Sequence, residues 1–466
     1  MSVSTTGELA RSTRVEGLDS QVIEVLRLAE RLALGALIVL SPLRARLALE
    51  DRSNGPIYGE YVDFVLYWSD VAFIALLVLW AVRLRLQPKG LWLGPMPIRL
   101  AVAGLVVAAS LSVPFSFDVS LSAYDSLRLT AAVFFGLYVA NEVRGVRDVL
   151  PAVALMVVLQ AAVSAGQVVA QGSLGLQSLG ENRLDPDVNG TSIVWTAEAG
   201  KLLRGYGLTD HPNILGGVLS FGLLVLATGL AGMRQRALLV SLIAVFGLGV
   251  AGLALSFSRS GELSFALGFL LVAALLVYRR HSAEAKAWLA AGVVGVVVGG
   301  ACLLQFSEYI GPRINPSSQV EGSPEQRSLD ERSALVKEAN GVFLDRPLTG
   351  AGIGALPVAI QDRRPQFEYN FQPVHVVLLD VAAETGILGA FFYGMLLVAP
   401  WGLLWHRRQQ LTPELISVSG ALAAVTVVGF LDYYTWGLAP GRIWSWLILG
   451  LWLAAYRRVA SGVADA

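Results

Sequence analysis

The chain has 466 residues, of which 55% are hydrophobic and only 15% charged, with a formal net charge of +0; soluble proteins carry roughly 25% charged residues. With 48 glycines and a mean hydropathy of +0.61, this excludes a disordered or collagen-like chain and an ordinary cytosolic enzyme, and it indicates a polytopic helical membrane protein. A neutral chain has no global basic field for nucleic acid, and the single cysteine, Cys302, excludes an intrachain disulfide and a cysteine-based metal cluster.

In chain order, residues 1–20 are polar, lack the apolar region of a cleavable signal and predict a cytoplasmic tail. A spanning helix needs about 20 mostly apolar residues. Such runs centre near Ala36, Ala75, Val106, Phe134, Leu159, Leu223, Ala244, Phe269, Val296, Gly394, Ala424 and Ile448. They predict an all-α transmembrane bundle of about twelve spans, nine within residues 21–305 and three within 374–466. Glu24, Arg27, Glu30 and Arg31 precede the first apolar run and suggest an amphipathic lead-in at the inner surface.

Alternate short loops are basic. They hold Arg83, Arg85 and Lys89, then Arg144 and Arg147, Arg234 and Arg236, and Arg279, Arg280 and Lys286. Arg407 and Arg408, and finally Arg457 and Arg458, continue the alternation. The positive-inside rule puts these loops and both termini in the cytoplasm of a multi-pass inner-membrane protein. The first outer loop is an exception, with Arg44, Arg46 and Arg52; its Glu50, Asp51, Glu60 and Asp63 read as a solvated acidic loop.

Two long polar stretches fall on the outer side, 171–212 and 306–373. In the second, Leu335, Val336, Ala339, Val342 and Phe343 recur at helical spacing. They predict an amphipathic helix that lies on the outer membrane face or caps a cavity. Gly350, Gly352 and Gly354 in PLTGAGIGALP either present backbone N–H groups to an anion or form a membrane-surface turn.

Of the 35 basic residues only Lys89, Lys201, Lys286 and Lys337 are lysines. Arginine suits phosphate through its planar fork. Arg259 in SFSRSG is set between two apolar runs on the outer side, against the positive-inside rule, with Glu262 in reach as a partner. Arg204 precedes GYGLTDHPN, and Arg128 stands three residues after Asp125. Two of the 4 histidines are outer. His211, with Asn213, marks a turn and helix start. His375 opens a run that carries Asp380 and Glu384; on a regular helix Glu384 lies about 180° from His375, which makes it a polar link between spans rather than a partner of the ring. No Walker, HExxH or GxSxG sequence is present.

The ordered motifs GYGLTDHPNILGG, SFSRSG, RPLTGAGIGALP and HVVLLDVAAETGILG resemble the O-antigen ligase and polymerase family over about Leu203 to Leu397. The resemblance implies a GT-C-like membrane glycosyltransferase with a large outer loop, without metal or cofactor, working on the outer face in polysaccharide or lipopolysaccharide synthesis. Its implied partners are an undecaprenyl-diphosphate-linked glycan donor, a lipid or glycan acceptor, and membrane lipids. It assigns Arg259, Arg204 and Arg128 to the diphosphate and His375 to catalysis on the acceptor, with His211, Asn213, Glu384, Gly350 and Gly352 as supporting residues. The family often has His-Asn at the histidine motif, where this chain has His375-Val376. A polymerase of lipid-linked repeat units is the alternative within the family. A transporter lined by Asp380, Glu384 and Arg259 is the alternative outside it.

Overall fold

The structure, a computed structural model, describes residues 5–52, 55–196, 198–230, 233, 235–314 and 324–462. Arg234, counted above among the basic loop residues, lies outside the described residues. The chain begins with helix α1 (Thr5–Leu40), strand β1 (Arg46–Glu50), the short α2 (Gly59–Val62), β2 (Phe64–Tyr67) and α3 (Trp68–Leu86). It continues through α4 (Met96–Ser112), α5 (Val119–Glu142), α6 (Leu150–Ala170), β3 (Ile193–Thr196) and β4 (Gly200–Leu203). Then come α7 (Pro212–Leu230), α8 (Arg236–Leu255), α9 (Arg259–Tyr278), α10 (Ser282–Gln305) and α11 (Ser307–Ile314). The last part holds α12 (Pro324–Asp345), α13 (Leu356–Arg363), α14 (Val377–His406), α15 (Pro413–Leu431), α16 (Tyr434–Gly437) and α17 (Ala439–Ser461).

Among the described residues eight helices are long and apolar enough to cross a membrane: α4, α6, α7, α8, α9, α10, α14 and α15. The other four predicted centres, Ala36, Ala75, Phe134 and Ile448, fall in the long helices α1, α3, α5 and α17. The chain is not purely helical. Two antiparallel pairs, β1 with β2 and β3 with β4, are built into the loops at one end of the bundle. Periodicity read over spanning lengths passes over strands of four or five residues.

The two sets of loops gather at opposite ends. At one end Arg279 meets Gln409, the His281 ring meets the Leu411 carbonyl, Lys89 meets Glu142, and Arg458 meets Glu414. At the other, Arg44 pairs with Asp210, Arg52 with Asp118, Arg442 with Asp125, and Arg346 donates to the Phe115 carbonyl. Arg44, Arg46 and Arg52 are thus held by carboxylates. Arg83 departs from its expected place in a loop: it sits within α3, 2% exposed, between Glu30 at 2.6 Å and Glu142 at 2.7 Å. Glu30 is correspondingly buried on the core side of α1 instead of facing a surface. A buried guanidinium requires such partners, since an unpaired charge there costs several kcal/mol.

Helix α7 is the centre of the bundle, 89% buried over its apolar window, whereas α10 is peripheral at 11%. Close approach at the centre depends on glycine. A Cβ on Gly261 of α9 would stand 2.6 Å from the Gly216 backbone of α7. Ser220 and Ser264 bond across the same seam at 2.9 Å. The predicted amphipathic helix is α12. Leu335, Ala339 and Val342 are buried against Leu121, Leu356, Ile360 and Phe371, so its apolar face packs on protein and caps the loops beneath it.

Candidate functional site

Three loops build the end of the bundle that carries His375. The first, 202–209, dips between helices and is buried throughout. Buried backbone needs partners. Gln167 of α6 accepts from the Tyr206 and Gly207 N–H groups at 3.0 and 2.9 Å, and Gln160 accepts from Leu208 at 2.8 Å. At its edge Asp210 is gripped by Arg44 at 2.7 Å and Arg46 at 3.1 Å. His211 then starts α7: its Nδ1 accepts the Asn213 N–H at 3.1 Å, and its Nε2 lies 2.9 Å from Ser192 Oγ. Both ring nitrogens are engaged in holding the turn, as the turn signal around His211 implies.

The second is the FSRSG turn between α8 and α9. Phe257 is left-handed, with φ 49°, a conformation that costs a non-glycine residue roughly 1–2 kcal/mol. Arg204, 6% exposed, steadies this turn by donating from Nε to the Ser256 carbonyl at 2.9 Å and from Nη2 to the Phe257 carbonyl at 3.3 Å. Arg259 is the first residue of α9, and Ser258 caps that helix by accepting from the Gly261 N–H. A helix N-terminus carries partial positive charge, so Arg259 adds a full charge where an anion is already favoured.

The third, 346–354, fills a break in α14. Gly386 has φ 71° and ψ −170°, which interrupts the helix. The broken ladder is closed from outside it: Ala351 and Gly352 donate to the Ala383 and Glu384 carbonyls, and Ile387 donates to Pro347, each at 2.8 Å. The Gly350 N–H donates to the Arg346 carbonyl at 2.9 Å. The N–H groups of Gly350 and Gly352 therefore close the backbone, while the Gly354 N–H bonds to the Glu384 carboxyl.

His375 precedes α14 instead of lying on it, so the helical angle to Glu384 does not apply. Its ring stands edge-on to Tyr433, centroids 5.0 Å apart, and its buried Nδ1 has no hydrogen-bond partner among the described residues. Such an orphan in a native site calls for an absent partner. Burial pushes the imidazole down to about 4, against Asp432, which raises it, and with Arg332, which lowers it further. The ring is thus neutral near pH 7 and able to accept a proton.

Asp432, 2% exposed at the end of α15, acts on this histidine through its charge and is linked to Arg204. Its Oδ2 accepts from Asn213 Nδ2 at 3.0 Å, and Asn213 Oδ1 accepts from Arg204 Nη2 at 2.7 Å. Tyr433 continues the chain, its hydroxyl 2.6 Å from that of Tyr61. Sequence reasoning passed over Asp432, Tyr433 and Tyr61; the signal was a carboxylate just past the apolar run near Ala424. Burial and Asp210 push the Glu60 carboxyl up, so this residue is not in a solvated loop as expected.

Arg128 lies elsewhere. Its guanidinium makes two bonds to Asp70, at 2.9 and 3.1 Å, and others to Tyr124 and the Val65 carbonyl. Asp125, its expected local partner, is instead bonded by Arg442 at 3.3 Å. Glu384, 3% exposed, accepts from Trp436 Nε1 at 2.9 Å, a polar link between α14 and α16. Arg204, His211, Asn213 and His375 thus share one connected cluster through Asp432, the turn carrying Arg259 is held by Arg204, and Arg128 and Glu384 line a neighbouring pocket.

Fold and site together define a multi-pass helical membrane protein with a buried polar cluster at one end. Residues 242–394, about a third of the chain, match the model of the O-antigen ligase family. The matched segment takes in Arg259, the 346–354 loop, His375 and Glu384, while Arg128, Arg204, His211 and Asn213 precede it. No curated protein matches the chain. The family supports a membrane glycosyltransferase of the ligase and polymerase type.

Proposed function

We propose that the chain transfers an undecaprenyl-diphosphate-linked glycan to a lipid or other acceptor on the outer face of the inner membrane, with the basic loops and both termini in the cytoplasm. The acceptor hydroxyl attacks the anomeric carbon and the bond from that carbon to the phosphate oxygen breaks. The acceptor proton passes to His375, and undecaprenyl diphosphate departs. Charge grows on the leaving diphosphate, and preorganised cations are what such a step needs. Arg259 at the head of α9 is the assigned ligand. Arg204 joins it and also holds the turn on which Arg259 stands. Arg128, paired with Asp70, is left to shape the adjoining pocket. Asp432 orients Asn213 and stabilises the imidazolium as it forms.

What carries this proposal is the family match over 242–394, which brackets both Arg259 and His375. The test uses purified chain in nanodiscs, a defined undecaprenyl-diphosphate glycan and candidate acceptors. Glycan on the acceptor is expected. Longer lipid-linked chains without acceptor would make the protein a polymerase, and intact glycan moved across a vesicle with no new bond would make it a transporter.

A further inference from the structure

A pocket opens beside the His375 cluster, and its chemistry does not suit a diphosphate. Among the described residues Glu60, Asp63, Asp125 and Glu384 line it together with Arg128 and Arg442. Both arginines already face carboxylates, Arg128 on Asp70 and Arg442 on Asp125. A dianion entering here would find both guanidiniums already engaged by carboxylates. Tyr61, Tyr67, Tyr124 and Trp436 also line the pocket. Beside them stand carboxyl groups, each with two oxygens that can accept hydrogen bonds from hydroxyls. Glu384 accepts the Trp436 indole N–H and the Gly354 N–H, and among the described residues Asp125 is reached by the Arg442 guanidinium at 3.3 Å.

From these groups we infer that the pocket is a binding subsite for a neutral sugar ring, whose hydroxyls donate to Glu60 and Asp125 and whose C–H face rests on the aromatic side chains. Its place fits that role. Tyr61 lines the pocket and touches Tyr433, which touches the His375 ring, so one pair of tyrosines separates the sugar subsite from the histidine. The inference deepens the transfer reaction proposed above and rests on it only for the origin of the sugar, donor or acceptor glycan.

The test is saturation-transfer NMR on the full chain in detergent, with neutral methyl glycosides of glucose, galactose, rhamnose and N-acetylglucosamine as probes. At least one glycoside is expected to bind. Glu60→Gln and Asp125→Asn, each checked by its melting curve, should weaken that binding about tenfold, as for loss of a hydrogen bond to a charged group. Sodium pyrophosphate should not displace it. Signals no stronger than with empty micelles, equal binding by both folded variants, or displacement by pyrophosphate would each overturn the inference. Binding needs no donor, so a chain that holds glycosides but transfers nothing sinks the reaction and keeps the subsite. In active protein, a glycoside that raises the acceptor KM places the acceptor sugar here, and one that raises the donor KM places the donor sugar.

Discussion

Replacing Gly386 with alanine should disorganise the site without touching any polar residue in it. The backbone there, φ 71° and ψ −170°, belongs almost only to glycine, and another residue costs of order 1–3 kcal/mol. The new Cβ would also stand 2.3 Å from the Leu348 carbonyl oxygen and 2.5 Å from its carbon. The 346–354 loop must then retreat, yet the bonds from Ala351, Gly352 and Ile387 hold it against the break. At about 1 kcal/mol each, losing these bonds brings the expected destabilisation to about 4–6 kcal/mol with the strain included. Gly394 in the same helix is the control: nothing lies within 4 Å of its Cβ, so Gly394→Ala should be neutral or stabilise by up to about 1 kcal/mol. Thermal melting of detergent-solubilised protein, followed by size-exclusion chromatography, compares the two. Equal melting of Gly386→Ala and wild type would refute the account of the broken helix, because both the strain and the clash would have to be absent.

Arg259→Ala should abolish transfer in folded protein, and Arg259→Lys should recover little, since a point charge does not replace a bidentate fork. Arg204→Ala should both abolish transfer and lower the melting temperature, because the Ser256 and Phe257 carbonyls lose a donor; a melt equal to wild type would show that the turn does not need it. His375→Ala should lower turnover by about 10²–10⁴ with donor affinity near normal, and lost donor binding with intact turnover would make the ring a diphosphate ligand. In the wild type, turnover should hold from neutral pH and fall as the pH passes through about 4, where His375 protonates. Its native value lies below the unfolded one, so its contribution to stability is likewise present above about pH 6.5 and lost as the pH falls toward about 4. An acid limb near pH 7 would contradict burial as the cause. For topology, in a Cys302→Ser background a cysteine at Ser178 should react with an impermeant reagent in intact cells, and one at Ser282 should not.

The sequence alone determined the class of fold. A spanning helix is written in about 20 consecutive residues, and all twelve predicted centres lie in long helices. His211 as a helix start was legible too, since capping acts within a few residues. Only the tertiary structure decided which charges meet. Arg128 passes over Asp125, three residues away, for Asp70, and Arg204 reaches Asp432 through Asn213. The same holds for the break at Gly386, which is held open by a loop that precedes it in the chain. The reason is physical. Helix formation and span length are set by neighbours in sequence. A buried guanidinium or carboxylate takes whichever partner the packed bundle brings within about 3 Å, and no local pattern encodes that choice.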